Sequence, residues 1–260
     1  MSREILHEHR AIWNQKPILR EIYHDFYRRI VSFCLPGRSL EIGGGSGNLK
    51  EYASNVISTD IVATPWLDAA ADAQALPFAN ESFANLVMVD VLHHIERPIR
   101  FLKEAWRVLR PGGRLLALEP AISPGSWIFY RLFHPEPVIM SADPLVDGMV
   151  SSGREPFDAN QAIPTLLFGR YRKRLQAVFP DFTLIHFERF SFFAYPLSGG
   201  FRRWSLLPAA WGRKLLNAER RLAPILGPVM AFRLFAVLEK RAEPEVSFRR
   251  TRMETYRHSA

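Results

Sequence analysis

The sequence predicts an α/β fold in which helices cover both faces of a doubly wound sheet. Three observations predict it. A short apolar segment, Ser39–Ile42, runs into a glycine-rich turn at residues 43–47. A β-branched run, Val56–Asp60, ends in an acidic residue. Apolar runs at residues 83–90 and 114–119 flank a stretch of helical periodicity, and this alternation is typical of βαβ units.

Composition limits the class of protein. The 260 residues suffice for one α/β domain with elaborated loops. A single cysteine, Cys34, excludes a disulfide framework and a cysteine-based zinc site, so the sequence predicts no metal site. The N-terminus has no apolar signal-peptide core and no apolar run is long enough to cross a bilayer, so we expect a cytoplasmic protein.

The net charge of +8 belongs to the end of the chain. Residues 1–195 hold 21 Lys and Arg against 21 Asp and Glu, whereas residues 196–260 hold 13 against 5. A basic C-terminal quarter indicates either a solvated basic surface or an anionic partner.

The first helical stretch covers residues 2–33, where apolar residues recur at helical spacing and Pro17 marks a break or a second helix start. We divide the chain into an N-terminal helical cap (1–36), a main domain (37–241) and a polar, basic tail (242–260) that we expect to be disordered. Two roles for the cap stay open, namely covering a ligand pocket and packing against the sheet.

The glycine-rich turn is the strongest local signal. Glycines let the backbone turn sharply and approach a ligand closely, and we expect a helix-like segment over residues 48–52 whose first amides face that ligand. Asn48 stands where the dinucleotide fingerprint has its third glycine. Glu41, two residues before Gly43, would repel a pyrophosphate and would suit a cationic amine. An NAD(P)-dependent oxidoreductase is therefore only the alternative.

Three motifs carry a family resemblance. They are Glu-x-Gly-x-Gly-x-Gly from Glu41, Asp-Ala-x-x-Leu-Pro-Phe from Asp72, and Glu-Ala-x-Arg-Val-Leu-Arg-Pro-Gly-Gly at residues 104–113. Together they resemble class I S-adenosylmethionine (SAM)-dependent methyltransferases of the group that includes the ubiquinone/menaquinone-biosynthesis enzymes. The resemblance covers residues 39–120. It implies a seven-stranded Rossmann-like sheet with an antiparallel last strand, SAM as the cofactor, and methyl transfer.

The cofactor residues come partly from spacing and partly from this resemblance. Asp60 follows Gly43 by 17 positions, close to the ~20 expected for an acid that binds ribose hydroxyls. The resemblance places Asp72 at the adenine amine, with the Ala73 amide near the ring. The predicted cofactor-binding set is Glu41, Gly43, Gly44, Gly45, Gly47, Asp60, Ile61, Asp72, Ala73, Val89 and Asp90.

The catalytic candidates are histidines. His93 and His94 follow the fourth strand in a Leu-His-His segment that, in the resembled family, lines the methionine end of the cofactor and the acceptor mouth. His134 lies in an aromatic segment, residues 120–160, that we interpret as a substrate loop because it follows the fifth strand. Glu136 is a further polar candidate there. A base is needed only for a hydroxyl or acidic-carbon acceptor, and a structural role for His94 stays open.

The second half carries the remaining elements. We predict a helix over 163–179 with a solvated basic face, a strand over 182–193, and an antiparallel last strand over 232–239. Between those strands, residues 196–230 place Leu207, Trp211, Leu215 and Leu222 on one helical face among cations. This insertion is either a lid over the pocket or an element that docks on the inner face of an anionic membrane.

The predicted function is methyl transfer from SAM to a small-molecule or lipid- or glycan-linked acceptor. An RNA-directed methyltransferase is a second alternative, raised by the basic C-terminal quarter. It is disfavoured because the chain has neither an Asn/Asp-Pro-Pro-aromatic tetrad nor a Pro-Cys pair. A non-catalytic module is disfavoured because Glu41, the glycines, Asp60 and Asp72 are all present.

Overall fold

Seven strands form one mixed sheet in the order β3-β2-β1-β4-β5-β7-β6 within the part of the chain that the structure describes. This structure is a computed structural model, and it describes residues 2–151 and 153–242. The strands are β1 Ser39–Ile42, β2 Val56–Asp60, β3 Ala69–Ala70, β4 Phe83–Val89, β5 Leu109–Pro120, β6 Phe182–Phe190 and β7 Arg233–Lys240. The first five strands of the sheet, β3, β2, β1, β4 and β5, are parallel to one another. Strand β7 is antiparallel to both of its neighbours, β5 and β6. The predicted fold class is confirmed.

Helices cover both faces of the sheet. They are α1 Ser2–Gln15, α2 Pro17–Phe33, α3 Pro98–Val108, α4 Pro124–Phe133, α5 Ile163–Thr165, α6 Arg172–Val178, α7 Ala194–Ser198 and α8 Ala209–Met230. Successive residues of β4 face opposite sides, so Leu86 and Met88 pack in the core beneath α3 while Val87 packs in the core beneath α2. The predicted break at Pro17 is confirmed, because proline occupies the first turn of α2.

Several predicted helix bounds were wrong. The segment after the glycine turn is a single 3₁₀ turn, Leu49–Glu51, rather than a helix, so it offers no helix N-terminus. Residues 163–179 are not one helix, because a π-helical stretch, Leu166–Arg170, separates α5 from α6. Residues 161–168 are buried throughout, and a run without an exposed side gives no period from which a break can be predicted.

The strand predictions hold with shifted ends. The fifth strand begins at Leu109 instead of Arg114, because the expected turn at 110–113 is a bulge in the strand, with a left-handed Gly112 (φ +74°). The sixth strand ends at Phe190, and the last strand is shifted by one residue. Helix α4 lies inside the predicted substrate loop, and the Ser123 and Ser126 side chains cap its first turn.

Helix α8 has a buried and an exposed side. It buries Gly212, Leu216 and Gly227, whereas two members of the predicted face, Trp211 and Leu222, are 66% and 44% exposed. Among residues 2–151 and 153–242, none of the helices combines the length and hydropathy of a bilayer-spanning segment. Apart from residue 242, the predicted disordered tail lies outside the described residues.

Candidate active site

A cavity of about 810 Å³ lies at the carboxyl ends of the parallel strands, where open α/β sheets bind ligands. The glycine turn and residues 60–62 and 71–74 form one end. Residues 89–96, 129–136 and 195–206 form the other. The N-terminal helices contribute Leu6, His9, Tyr23 and Tyr27. They also pack against the sheet, so the two predicted roles of this segment coexist. Helix α8 contributes no lining residue; the segment before it does.

The glycine turn joins the ends of β1 and β2. Gly43 has φ +65°, and a Cβ there would lie 2.3 Å from Val91 Cγ2, so only glycine fits. The Gly45 amide donates to Asp60 Oδ2 at 3.0 Å. Gly47 was expected to contact the cofactor, but it does not line the cavity. It shapes the turn instead, with φ +78° and the Trp66 ring against its Cα.

Glu41 is buried at the end of β1 and lines the cavity. Its Oε2 atom has no hydrogen-bond partner among the described residues. Burial raises the pKa of Glu41 to about 7. Because a buried carboxylate oxygen without a partner is unfavourable, this position is suited to a ligand that brings a cationic donor.

The other predicted cofactor residues surround the same end of the cavity. Asp60 is buried and accepts the Val62 amide at 2.9 Å in addition to Gly45. Asp72 accepts the Gln74 amide at 2.8 Å. All of the predicted set except Gly47 line the cavity. Asp90 is already occupied, since the buried Arg233 guanidinium donates to Oδ1 and the Tyr23 hydroxyl donates to Oδ2.

His93 lies beyond Asp90 in a 3₁₀ turn, Leu92–His94, and is buried. Its Nδ1 is 2.9 Å from Glu119 Oε2, and Glu119 Oε1 accepts the amides of Val91 and Leu92. With Nδ1–H donating to the carboxylate, the Nε2 lone pair points away from Glu119, and Nε2 lies 3.6 Å from Glu136 Oε2. Burial lowers the pKa of His93 to about 3, so the imidazole is neutral.

His94 and His134 reach the same end. Burial lowers the pKa of His94 to about 3 and that of His134 to about 4. The His94 Nδ1 atom is buried without a partner among the described residues, whereas His134 Nδ1 accepts the Glu136 amide at 3.3 Å. Burial raises the pKa of Glu136 to about 7, and the Gln161 side-chain amide donates to its carboxylate.

The sequence analysis missed Arg233, Tyr23 and Gln161 as lining residues. Arg233 had a signal, because an arginine at the start of an otherwise apolar strand must find a buried partner. Tyr23 had none, since it belongs to a helical stretch whose apolar neighbours explain its position equally well. Gln161 had none either, since it lies in the turn before α5 without a motif around it.

Comparison with known proteins agrees with this geometry. Residues 40–117 match the sequence model of the methyltransferase domain. The resemblance to class I SAM-dependent methyltransferases is confirmed over this stretch. Its fold resembles that of a Thermotoga maritima SAM-dependent methyltransferase described as a possible histamine N-methyltransferase, with a TM-score of 0.52 and 17% identity over 88% of this chain and 93% of that one.

Two curated methyltransferases are similar over shorter stretches. The ubiquinone/menaquinone biosynthesis C-methyltransferase UbiE of Ruegeria sp. is 33% identical over 107 residues, which are 32% of this chain and 43% of that protein. The phthiotriol/phenolphthiotriol dimycocerosates methyltransferase of Mycobacterium leprae is 45% identical over 58 residues, 22% of either chain. The chain thus spans less than half the length of these two relatives.

SAM is the methyl donor of this methyltransferase class, and the residues present fit it. The unpartnered Glu41 oxygen suits its amine. The methyl-sized space beside Gly45, where a Cβ would meet no atom closer than 3.9 Å, leaves room for close approach. Asp60 and Asp72 retain acceptor lone pairs for hydroxyl and amine groups. The oxidoreductase alternative is left without support.

Proposed function

We propose that this protein transfers the SAM methyl group to an apolar small molecule or a lipid-linked acceptor. One observation carries the proposal: a single cavity joins the acidic glycine-turn end to an aromatic end that opens on the surface. The acidic end holds Glu41, Asp60 and Asp72. The open end is where an acceptor would enter.

The open end suits hydrocarbon. Phe129, Tyr195 and Phe201 line it. At its rim Phe133 is 63% exposed and Leu206 is 73% exposed. Large apolar side chains left in water around a cavity mouth are typical of sites that bind apolar ligands. The names of the two relatives, which refer to quinone biosynthesis and to dimycocerosates, support the same acceptor class.

Alignment is the main task of the chain's own residues. The SAM sulfonium supplies an electrophilic methyl group and a good leaving group. Glu41, Asp60 and Asp72 would fix one reactant, and the aromatic end would hold the other for in-line attack. His93, His94 and His134 lie at the acceptor end, where as neutral imidazoles they would orient a polar acceptor group.

A membrane contact would deliver such an acceptor. On α8, Trp211, Leu222, Ile225 and Val229 share one exposed side. Lys214 and Arg221 lie along one edge of this stripe, and neither has an ion pair within residues 2–151 and 153–242. Exposed apolar residues beside such cations match the interface of an anionic bilayer.

Calorimetric titration tests the cofactor, and label transfer tests the acceptor. We expect SAM but not NADH to bind the wild type, and Asp60→Ala to weaken SAM binding. With methyl-labelled SAM and a total cell extract, we expect label in the solvent-extractable lipid fraction. Label confined to RNA or to water-soluble compounds would overturn the acceptor class, and absence of SAM binding would overturn the proposal.

A further inference from the structure

The acceptor end of the cavity contains a convergence of lone pairs. His93 and His94 each place a ring nitrogen, and Glu136 places a carboxylate oxygen, so that these three atoms lie within 4.8 Å of one another. The three residues come from a 3₁₀ turn and from the loop after α4, and all line the cavity.

Hydrogen bonding leaves these atoms as acceptors that face each other. When the Glu119 carboxylate is ionised, His93 Nδ1–H donates to it across 2.9 Å, and Nε2 then carries the lone pair. The His94 ring bonds to the backbone of Asp158, which leaves Nδ1 as its ring nitrogen without a partner. The Gln161 Oε1 atom beside Glu136 is also buried and unpartnered. A single proton on Glu136 satisfies only one of these acceptors, whereas one cation satisfies several.

The outer contacts are those of a metal site. A histidine that binds a metal usually donates its other ring N–H to a carboxylate or a backbone carbonyl, which fixes the tautomer. His93 has the Glu119 carboxylate in this role, and Glu119 is itself held by two backbone amides. His94 has the Asp158 backbone. The Glu136 carboxylate accepts from the Gln161 amide.

We propose that His93, His94 and Glu136 bind a first-row divalent transition-metal cation. Two imidazoles and one carboxylate suit zinc, iron or manganese, whereas calcium and magnesium prefer oxygen-only ligands. Metal–ligand bonds of about 2.1 Å hold ligand atoms roughly 3–4 Å apart. Ligand atoms that lie up to 4.8 Å apart in this structure would therefore have to move closer by about 1–2 Å at most. The partly exposed Glu136 carboxylate lies 3.6 Å from His93 Nε2, already within the range that ligand atoms of one metal ion span.

Three protein ligands leave coordination positions open toward the cavity. An acceptor oxygen bound there would be held in place, and its hydroxyl pKa would fall. This role rests on the proposed methyl transfer, whereas cation binding does not. The sequence predicted no metal, because cysteine was the residue type considered and the histidine pair gives no sign of a third ligand 42 residues away.

Cobalt titration of the chelator-treated full chain tests the site, because Co²⁺ in a nitrogen–oxygen site absorbs visible light. We expect one equivalent of Co²⁺ to bind and Zn²⁺ to displace it. Glu136→Gln and His94→Ala should each weaken binding at least about tenfold. Glu119→Gln, which replaces the carboxylate beside His93 Nδ1–H by a neutral amide, should weaken it by about 10–100-fold.

The matched control is Glu155→Gln, because Glu155 also lines the cavity but lies outside the cluster. It should bind Co²⁺ as the wild type does. SAM titration of every variant shows which ones are folded. If the wild type takes up no Co²⁺ to one equivalent, or if folded Glu136→Gln and His94→Ala bind it normally, the metal site is wrong. Failure of the wild type to bind SAM would instead overturn the proposed function and leave the cobalt result standing.

Discussion

At the scale of single residues, the buried Glu41 makes the stability of the ligand-free protein depend on pH. Its pKa is raised from 4.5 to about 7 in the folded state. The folded chain therefore keeps a proton that the unfolded chain releases above pH 4.5. Stability from this residue is fully present below pH 4.5 and falls as the pH rises to about 7.

Glu41→Gln should remove this pH dependence. At pH 8 we expect the ligand-free variant to be more stable than the wild type by about 3 kcal/mol, since each pKa unit corresponds to about 1.4 kcal/mol. SAM should bind about 10–100-fold more weakly, because a charged hydrogen bond is lost. Urea unfolding at pH 4.5 and pH 8, together with SAM titration, measures both effects. Equal loss of stability in variant and wild type over this range would contradict the assignment.

The residues of the cofactor end were predictable from the sequence, and those of the acceptor end were only partly so. Glu41 and Asp60 each stand at fixed spacing from a glycine turn or a strand end, so local pattern locates them, and Asp72 lies in a motif that the family resemblance assigns. Local pattern does not locate the partners of the His93 side chain. Glu119 and Glu136 come from β5 and from the loop after α4, and the contacts that join them depend on packing between distant parts of the chain.

At the scale of elements, two glycines let α8 pack closely. A Cβ on Gly227 would lie 2.6 Å from the Arg189 carbonyl oxygen in β6, and one on Gly212 would lie 2.4 Å from Ile18 Cδ1 in α2. The first neighbour is backbone and cannot move aside. Gly227→Ala should therefore destabilise the protein by about 1–3 kcal/mol in urea unfolding. Gly169→Ala is the control, because its Cβ would meet no atom within 4 Å, and stability at least equal to wild type is expected there. Equal effects of the two changes would refute close packing of α8.

The exposed side of α8 gives a second prediction for an element. Trp211→Glu should weaken binding to phosphatidylglycerol-containing vesicles at least about tenfold, because a large apolar side chain no longer enters the interface. Lys214→Gln should weaken it about fivefold, since a basic residue near an anionic surface contributes about 1 kcal/mol. Arg213→Gln is the matched control, because Arg213 already pairs with Glu21 at 2.9 Å. Vesicle sedimentation at two salt concentrations measures all three, and unchanged binding by Trp211→Glu would rule out this surface.

Sequence reasoning predicted elements well where burial is one-sided or periodic, and less well elsewhere. Strands β1 and β2 were predicted to the residue because each is bounded by a turn or an acid. Helix α4 was missed because its aromatic residues suggested a ligand-binding loop. Its capping box is formed by Ser123 and Ser126, and a serine at the second position does not give the usual Glu or Gln signal. The predicted four-residue face of the insertion was wrong in part: Leu207 precedes α8 and is buried, whereas Trp211 and Leu222 are exposed on the helix. Pattern alone does not tell whether a face is buried or exposed.

At the scale of the whole molecule, side-chain contacts connect helix α1 to the glycine turn at the cofactor end of the cavity. The Arg10 guanidinium in α1 donates to the Ser46 carbonyl at 2.7 Å and lies over the Trp66 ring, whose indole N–H donates to the Gly45 carbonyl at 2.8 Å. Helix α1 itself buries only Leu6, Ile12 and Trp13. Its stability should therefore depend on the glycine turn that SAM would occupy.

Hydrogen exchange would show this coupling. At 100 times its dissociation constant, SAM should stabilise the protein by about 2.7 kcal/mol, which raises the melting temperature by roughly 5–10 °C. We expect exchange to slow more in residues 2–15 and 43–47 than in α6, which lies away from the cavity. Arg10→Gln should keep SAM binding but lose most of the protection in α1. Protection restricted to residues 41–72 in the wild type would mean that α1 is not part of the cofactor site, because a helix that closes the cavity must gain stability when the cavity is filled.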